Sequence, residues 1–385
     1  MQQSRTGAVA LADRRGVTDR TFARHGRPTT PTLAWMLDGL TRALAASGYE
    51  PRDAPGPDTQ VVLHALDLAH PRPYRRKRAP TFVVALAALP ERPDDLLRTG
   101  YPLLVRGLAN LAVLVSDEGR PAAHFVTLEQ GTATIEHDGN DDAFFEAVFA
   151  RLEPMASSRL VIGNDFRPDL PVELWAGDEQ TAQIARAGQR LAELDLLPAP
   201  FPIEELLSER DLRHVKLLYG IGGLSYGNLS ARRQPRADRG LGPEFWMSAS
   251  GVDKGHLREV GREVLLVRGY DPDADAMVLA VPPHVTPNRV SVDAIEHWMI
   301  YREHPAVGAI VHVHAWIDGT PATEISYPCG TIELAGAVAD IVRRAPDPSR
   351  AVVGQRNHGL TITGRDLDEI FERTEGRIVR QVPMD

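Results

Sequence analysis

The sequence has one cysteine, Cys329, in 385 residues, so no internal disulfide can form, which fits a reducing compartment. It has no apolar run near the roughly 18–20 residues that a membrane span needs. Residues 1–30 carry scattered Arg and Asp without the apolar core of a secretion signal. A cytoplasmic protein is expected, with no membrane partner. Nor is there a basic excess. The net charge of -9 argues against nucleic acid, whose binding relies on clustered Lys and Arg to neutralise phosphates. The local exception is Arg72, Arg75, Arg76, Lys77 and Arg78, which reads as a solvated turn. There is also no G-x-G-x-x-G after a strand and no P-loop.

What is present is ordinary for a soluble, well-packed protein: 43% hydrophobic and 25% charged residues, in a chain long enough for two domains. Residues 1–30 are polar and aperiodic and are expected to form a mobile tail. Leu33, Met36, Leu37, Leu40 and Leu44 recur at helical spacing, so a helix is predicted over 33–46. Strand-like runs follow at 60–66, 81–89, 111–116, 123–128, 132–136 and 159–163, with helices at 96–108 and 141–152. Such interleaving predicts an α/β layer domain over 31–170, and it contains no catalytic constellation. Residues 171–202 read as a helical linker closed by Pro198, Pro200 and Pro202, after which a second unit spans 203–385.

The chemistry gathers in that second unit. Gly223–Gly227 fits G-x-S-x-G, but a nucleophile elbow needs a strand before the serine, and here a helix precedes it. What remains is a Gly-rich helix exit with Gly227 and Asn228 placed to meet an anion. A second small-residue loop offers Ser250, Gly251 and Lys254 to a phosphate or carboxylate. The spacing of Val292, Ile295, Met299 and Ile300 predicts a helix over 291–304 with Ser291 as N-cap. Asp293 would lie in its first turn, either favoured by the helix dipole or paired with His297 at i,i+4. The β-branched run 309–316 carries His312 and His314 two apart, hence on one face of a strand. A lone His-x-His is often only a pair of half-buried imidazoles. His358, at a turn between two strand-like segments, is the natural third ligand of an open, catalytic-type metal site.

In sequence order, Gly227-Asn228-Leu229-Ser230, Ser248–Gly251, the Ser291/Asp293/His297/Tyr301 helix, His312-Val313-His314 and Asn357-His358-Gly359 resemble the class II aldolase/adducin family over about 203–378. The resemblance implies a three-layer αβα fold and a homo-oligomer, a tetramer with the active site at the subunit interface. It implies a divalent metal, zinc first, with iron, manganese or cobalt as alternatives, held by His312, His314 and His358. It also implies lyase or epimerase chemistry on a small hydroxylated carbonyl compound, possibly a sugar phosphate, through a metal-stabilised enediolate or enolate. Asp293 stands where the family's aldolases have a catalytic Glu and its epimerase has Asp. Gly227, Asn228, Ser250, Gly251 and Ser291 match phosphate-binding positions, whereas Val292 replaces a hydroxyl residue there. The rival expectations are an Fe(II) oxygenase or decarboxylase on the same scaffold, and a non-catalytic sensor or assembly module. A cupin would need an all-β context.

Overall fold

The computed structural model describes residues 20–77, 81–116, 120–128, 131–199, 202–219, 225–233 and 242–384, without the side chains at 214 and 216–219. Arg78 and residues 220–224 of the Gly-rich exit lie outside the described residues. The chain divides into two compact units, the first closing at Ala156 and the second opening at Ser157.

The first unit is a seven-stranded sheet in the order β2-β1-β3-β4-β5-β6-β7. Its strands are β1 Thr21–His25, β2 Glu50–Arg52, β3 Val61–Ala65, β4 Phe82–Leu89, β5 Leu111–Ser116, β6 Ala122–Thr127 and β7 Thr132–Glu136. β1 to β5 are parallel and β6 and β7 antiparallel. VVLHA, FVVALAAL and LAVLVS are continuous apolar runs rather than alternating ones because helices cover both faces of a parallel sheet. Helices α1 (Pro31–Ala46) and α3 (Asp141–Ser157) share one apolar core with one face, and α2 (Leu96–Gly107) lies on the other. Thr30 caps α1 by accepting from the Leu33 N–H at 3.1 Å.

Three expectations are corrected. Residues 21–25 are not part of a mobile tail: they form β1, with Thr21, Phe22 and Ala23 buried. TFARH has no readable periodicity, and its strand character comes from pairing with β2 and β3 on either side. The domain boundary falls near 156 rather than 170, because β8 (Gly163–Arg167) pairs with β12 (Ala276–Ala280) in the second sheet, in place of the strand expected at 159–163. Most of the supposed linker belongs to the second unit as well. There, α4 (Glu179–Glu193) buries Ile184, Ala187 and Leu191 in that unit's core.

The second unit has an eight-stranded sheet, β14-β15-β13-β9-β10-β11-β12-β8. The remaining strands are β9 Asn228–Arg232, β10 Phe245–Ser248, β11 Val264–Asp271, β13 Ala309–Val313, β14 Val352–Gln355 and β15 Gly359–Gly364. Two short helices, α5 (Ile203–Leu206) and α6 (Glu209–Tyr219), precede β9. The alternation of strand side chains separates three layers. Trp246 points to one face and bonds Asp178, the N-cap of α4, while Gly364 lies against Ile370 of α9 (Leu367–Thr374). Ser230, Phe245 and Thr361 point to the other, against α7 (Ala294–Glu303), which packs beside α8 (Ile332–Arg344). Among the described residues, no helix is long and apolar enough to cross a membrane.

Candidate metal centre

His312 sits near the carboxyl end of β13 on the α7 face, where it pairs with Asn228 of β9 on one side and Thr361 of β15 on the other. His314 lies one residue past the strand. His358 ends the turn from β14 to β15, a turn that Asn357 makes possible by adopting φ 60. Gly227, at φ +71, must be glycine, because a Cβ there would collide with the His312 carbonyl. The three imidazoles converge. Their centroids are 5.1, 4.8 and 4.8 Å apart, and one nitrogen from each lies within 4.8 Å of the others. Bonds of about 2.0–2.1 Å to one cation need only a modest closure of that triangle.

The donor set fits a metal on its own evidence. His312 Nδ1–H donates to the Leu360 carbonyl at 3.0 Å, which leaves Nε2 as a bare lone pair. His312 Nε2, His314 Nδ1 and His358 Nδ1 are all buried without a hydrogen-bond partner, an expensive arrangement unless something else binds them. Burial keeps the rings neutral, as metal ligands must be. It pushes His312 down to about 4, His358 to about 3, and His314 well below its usual range.

Two carboxyls stand beside the cluster. Asp293 Oδ2 accepts from Asn228 Nδ2 at 2.7 Å and lies 3.9 Å from His312 Nε2, while Oδ1 is buried with no partner. Asp293 is the N-cap residue of α7 rather than a first-turn residue, and its side chain makes no cap bond. The expected start at Ser291 is thus corrected: residues 291–293 form a turn that aims the carboxylate into the site, and Ser291 Oγ accepts from Asn228 Nδ2 instead of capping. Of the two alternatives for Asp293, the side-chain pair with His297 does not form, since His297 Nδ1 meets Ser230 Oγ at 2.7 Å and that hydroxyl in turn meets the Tyr301 hydroxyl at 2.8 Å. Burial pushes the Asp293 carboxyl above its usual range against the pull of His358, Asn228, Gly330 and Lys254.

Sequence reading missed Glu296. It is 1% exposed and accepts from Thr361 Oγ1 at 2.5 Å and Gln355 Nε2 at 2.7 Å. Burial, with Asp293 adding to it, pushes its carboxyl far above the usual range. The signal was available: Glu296 is four residues from both Val292 and Ile300, on the apolar stripe of the helix.

Lys254 is buried, with Nζ donating to the Ser225 carbonyl at 2.9 Å, and burial brings its ammonium down to about 8. Its charge acts on Asp293, His312 and His314. Ser250 and Gly251 are on an exposed turn after β10, and no hydrogen bond among the described residues joins them to the cluster.

With the site assembled, the comparisons name its family. Residues 213–317 match the family model described as Class II Aldolase and Adducin N-terminal domain. The second unit is a class II aldolase/adducin-type domain, and the match takes in every candidate site residue but His358. The chain is similar to the L-fuculose phosphate aldolases of Methanococcus maripaludis strains C5 and C7. Each is 25% identical over 130 residues, covering 28% of this chain and 68% of the relative. Among solved structures, an L-fuculose 1-phosphate aldolase is 18% identical over 52% of this chain and 82% of its own, with a TM-score of 0.33. An aldolase II superfamily protein from Pseudomonas syringae is 15% identical over 53% and 72%, with a TM-score of 0.33.

Proposed function

We propose that the second unit is a metal-dependent lyase or epimerase of the aldolase type, acting on a small hydroxylated carbonyl compound. The observation that carries the reading is the convergence of His312, His314 and His358 with buried, partnerless nitrogens. These residues would hold a divalent cation, zinc first. When bound, it would polarise a substrate carbonyl or hydroxyl and stabilise the negative charge that develops next to it.

The protein's own groups do the rest. Asn228 fixes one oxygen of Asp293, so Oδ1 is the atom free to take and return a proton. Its raised pKa brings that carboxyl toward the working pH, where proton transfer in both directions is efficient. Lys254 keeps ammonium protons beyond the one given to Ser225, and with Gly227, Ser250, Gly251 and Ser291 it would receive the anionic end of a substrate. Self-association, as a tetramer, extends this reading from the family resemblance.

Elemental analysis of purified protein, followed by turnover assays on hydroxyketones and 2-oxo acids with and without a phosphate group, tests it. One divalent metal per chain is expected, together with turnover that falls about 10³-fold in His314→Ala, since the metal contributes several kcal/mol. Metal-free protein with the same activity in that variant refutes the proposal. Oxygen uptake that requires Fe(II) would assign an oxygenase instead.

A further inference from the structure

The first unit carries an unassigned histidine pair at a telling place in its sheet. From β1 the chain adds β2 on one side and then returns to add β3 on the other, so the direction of strand addition reverses at the β1/β3 junction. In open α/β sheets, the carboxyl ends of the strands flanking such a reversal form a crevice in which ligands settle. His25 is the last residue of β1, and it lies in register with His64 of β3. Both rings point to the face opposite α1 and α3. Over them runs the segment 66–77, which includes Arg72, Tyr74, Arg75 and Lys77.

The hydrogen bonds fix how the pair presents itself. His64 Nε2 is 2.8 Å from the Arg72 carbonyl, which can only accept, so Nε2 carries the hydrogen and Nδ1 of a neutral ring is bare. His25 Nδ1 is 3.0 Å from that bare atom and must therefore donate to it. A neutral His25 is then left with a lone pair at Nε2, on a half-buried ring, backed by a two-step relay. Tyr74 stands edge-on to His25 at 4.9 Å, is 5% exposed, and its buried hydroxyl has no partner. Arg72, Arg75 and Lys77 are exposed and, among the described residues, their side chains form no ion pair or hydrogen bond. An acceptor nitrogen and a spare phenol donor therefore lie together under a segment that carries uncompensated positive charge.

We infer that this crevice binds a small anion that also carries a hydroxyl, such as a phosphomonoester or a hydroxy acid, with the hydroxyl on His25 Nε2 and the oxyanion on Tyr74 and the basic segment. The inference stands apart from the reading of the second unit and does not depend on it. Charge alone would attract any anion, whereas the bare Nε2 selects one with a hydrogen to give.

Full-length protein is titrated with inorganic phosphate, lactate or acetate at fixed ionic strength while the imidazole resonances of His25 and His64 are followed. Saturable shifts with phosphate or lactate are expected, with acetate at least tenfold weaker because it has no hydroxyl. Affinity should fall at least tenfold in His25→Gln, read on His64, and in Arg72→Ala/Arg75→Ala/Lys77→Ala, whose side chains are exposed and do not threaten folding. The response should persist in His314→Ala, which separates it from any phosphate taken up by the second unit. No saturable shift with phosphate or lactate, acetate as strong as lactate, or unchanged affinity in the triple variant overturns the inference.

Discussion

The two units place their ionisable residues in opposite ways. Among the described residues, the first buries no charged side chain and only two imidazoles, His64 and His124, each held by hydrogen bonds, and His64 pairs with His25 at a crevice on the sheet. The second buries Lys254, Asp293, Glu296, His297, His312 and His358 together behind one end of its sheet. Taking such groups out of water costs several kcal/mol each unless they are paired, and an apolar filling of the same volume is often as stable or more so. Stability therefore does not account for the second cluster, and strongly perturbed groups gathered around convergent ligands are the mark of a functional site. The first unit shows the same sheet-and-helix architecture with an interior that is almost entirely apolar.

The strongest way to break this contrast is through Asp293. If its carboxylate moves a proton, Asp293→Asn should lower kcat by about 10²–10⁴-fold while leaving metal content and the unfolding midpoint near those of the parent. Equal loss of metal and of stability would make it a structural residue.

Next in size is a truncation in the apolar core. Leu63→Ala, at a fully buried position in β3, should cost the first unit about 2–5 kcal/mol in urea unfolding without changing metal content. A metal loss there would mean that the two units do not act separately.

Acid should then affect the metal-free second unit more than the first. His297, His312, His314 and His358 all have lowered pKa values in the fold, so the unfolded chain takes up protons first as pH falls below about 6.5, and stability falls with it. Asp293 and Glu296 have raised values and act with the opposite sign, losing stability as pH rises above their ordinary range. The imidazoles outnumber them, so the net expectation for chelator-treated protein is a second-unit unfolding midpoint that drops between pH 6.5 and 4.5. A flat profile would contradict the buried, neutral cluster.

The smallest effect concerns Glu296. Because its carboxyl is pushed toward the protonated form, Glu296→Gln should change stability at neutral pH by about 1 kcal/mol or less, whereas Glu296→Ala strands Thr361 and Gln355 and should cost about 2–4 kcal/mol. If Gln is as damaging as Ala, the carboxylate charge itself is needed.

Much of this was legible from local pattern. Continuous apolar runs marked β3, β4 and β5 to within a residue or two, and helical spacing marked α1 and α2, because a five- to eight-residue run or a 3.6-residue period is a local property of the chain. β1 and β2 were not legible: TFARH and EPR have no pattern of their own and become strands through their neighbours. The start of α7 was misplaced for a related reason. Ser291 is a good cap by type, but its hydroxyl is taken by Asn228, a residue 63 positions away in the chain.

By itself, then, the sequence determined the strands and helices that carry their own local pattern, that His312 and His314 share a face, and that Asp293 and His358 were candidates to join them. Tertiary structure decided the rest. It brought the β14–β15 turn against the end of β13 so that three nitrogens meet, buried Glu296 between Thr361 and Gln355, and returned the chain to the far side of β1 so that His25 faces His64. The physical reason is the same in each case. Periodicity records which side of its own element a residue occupies, but burial, protonation and hydrogen-bond direction are set by whatever other elements arrive on that side.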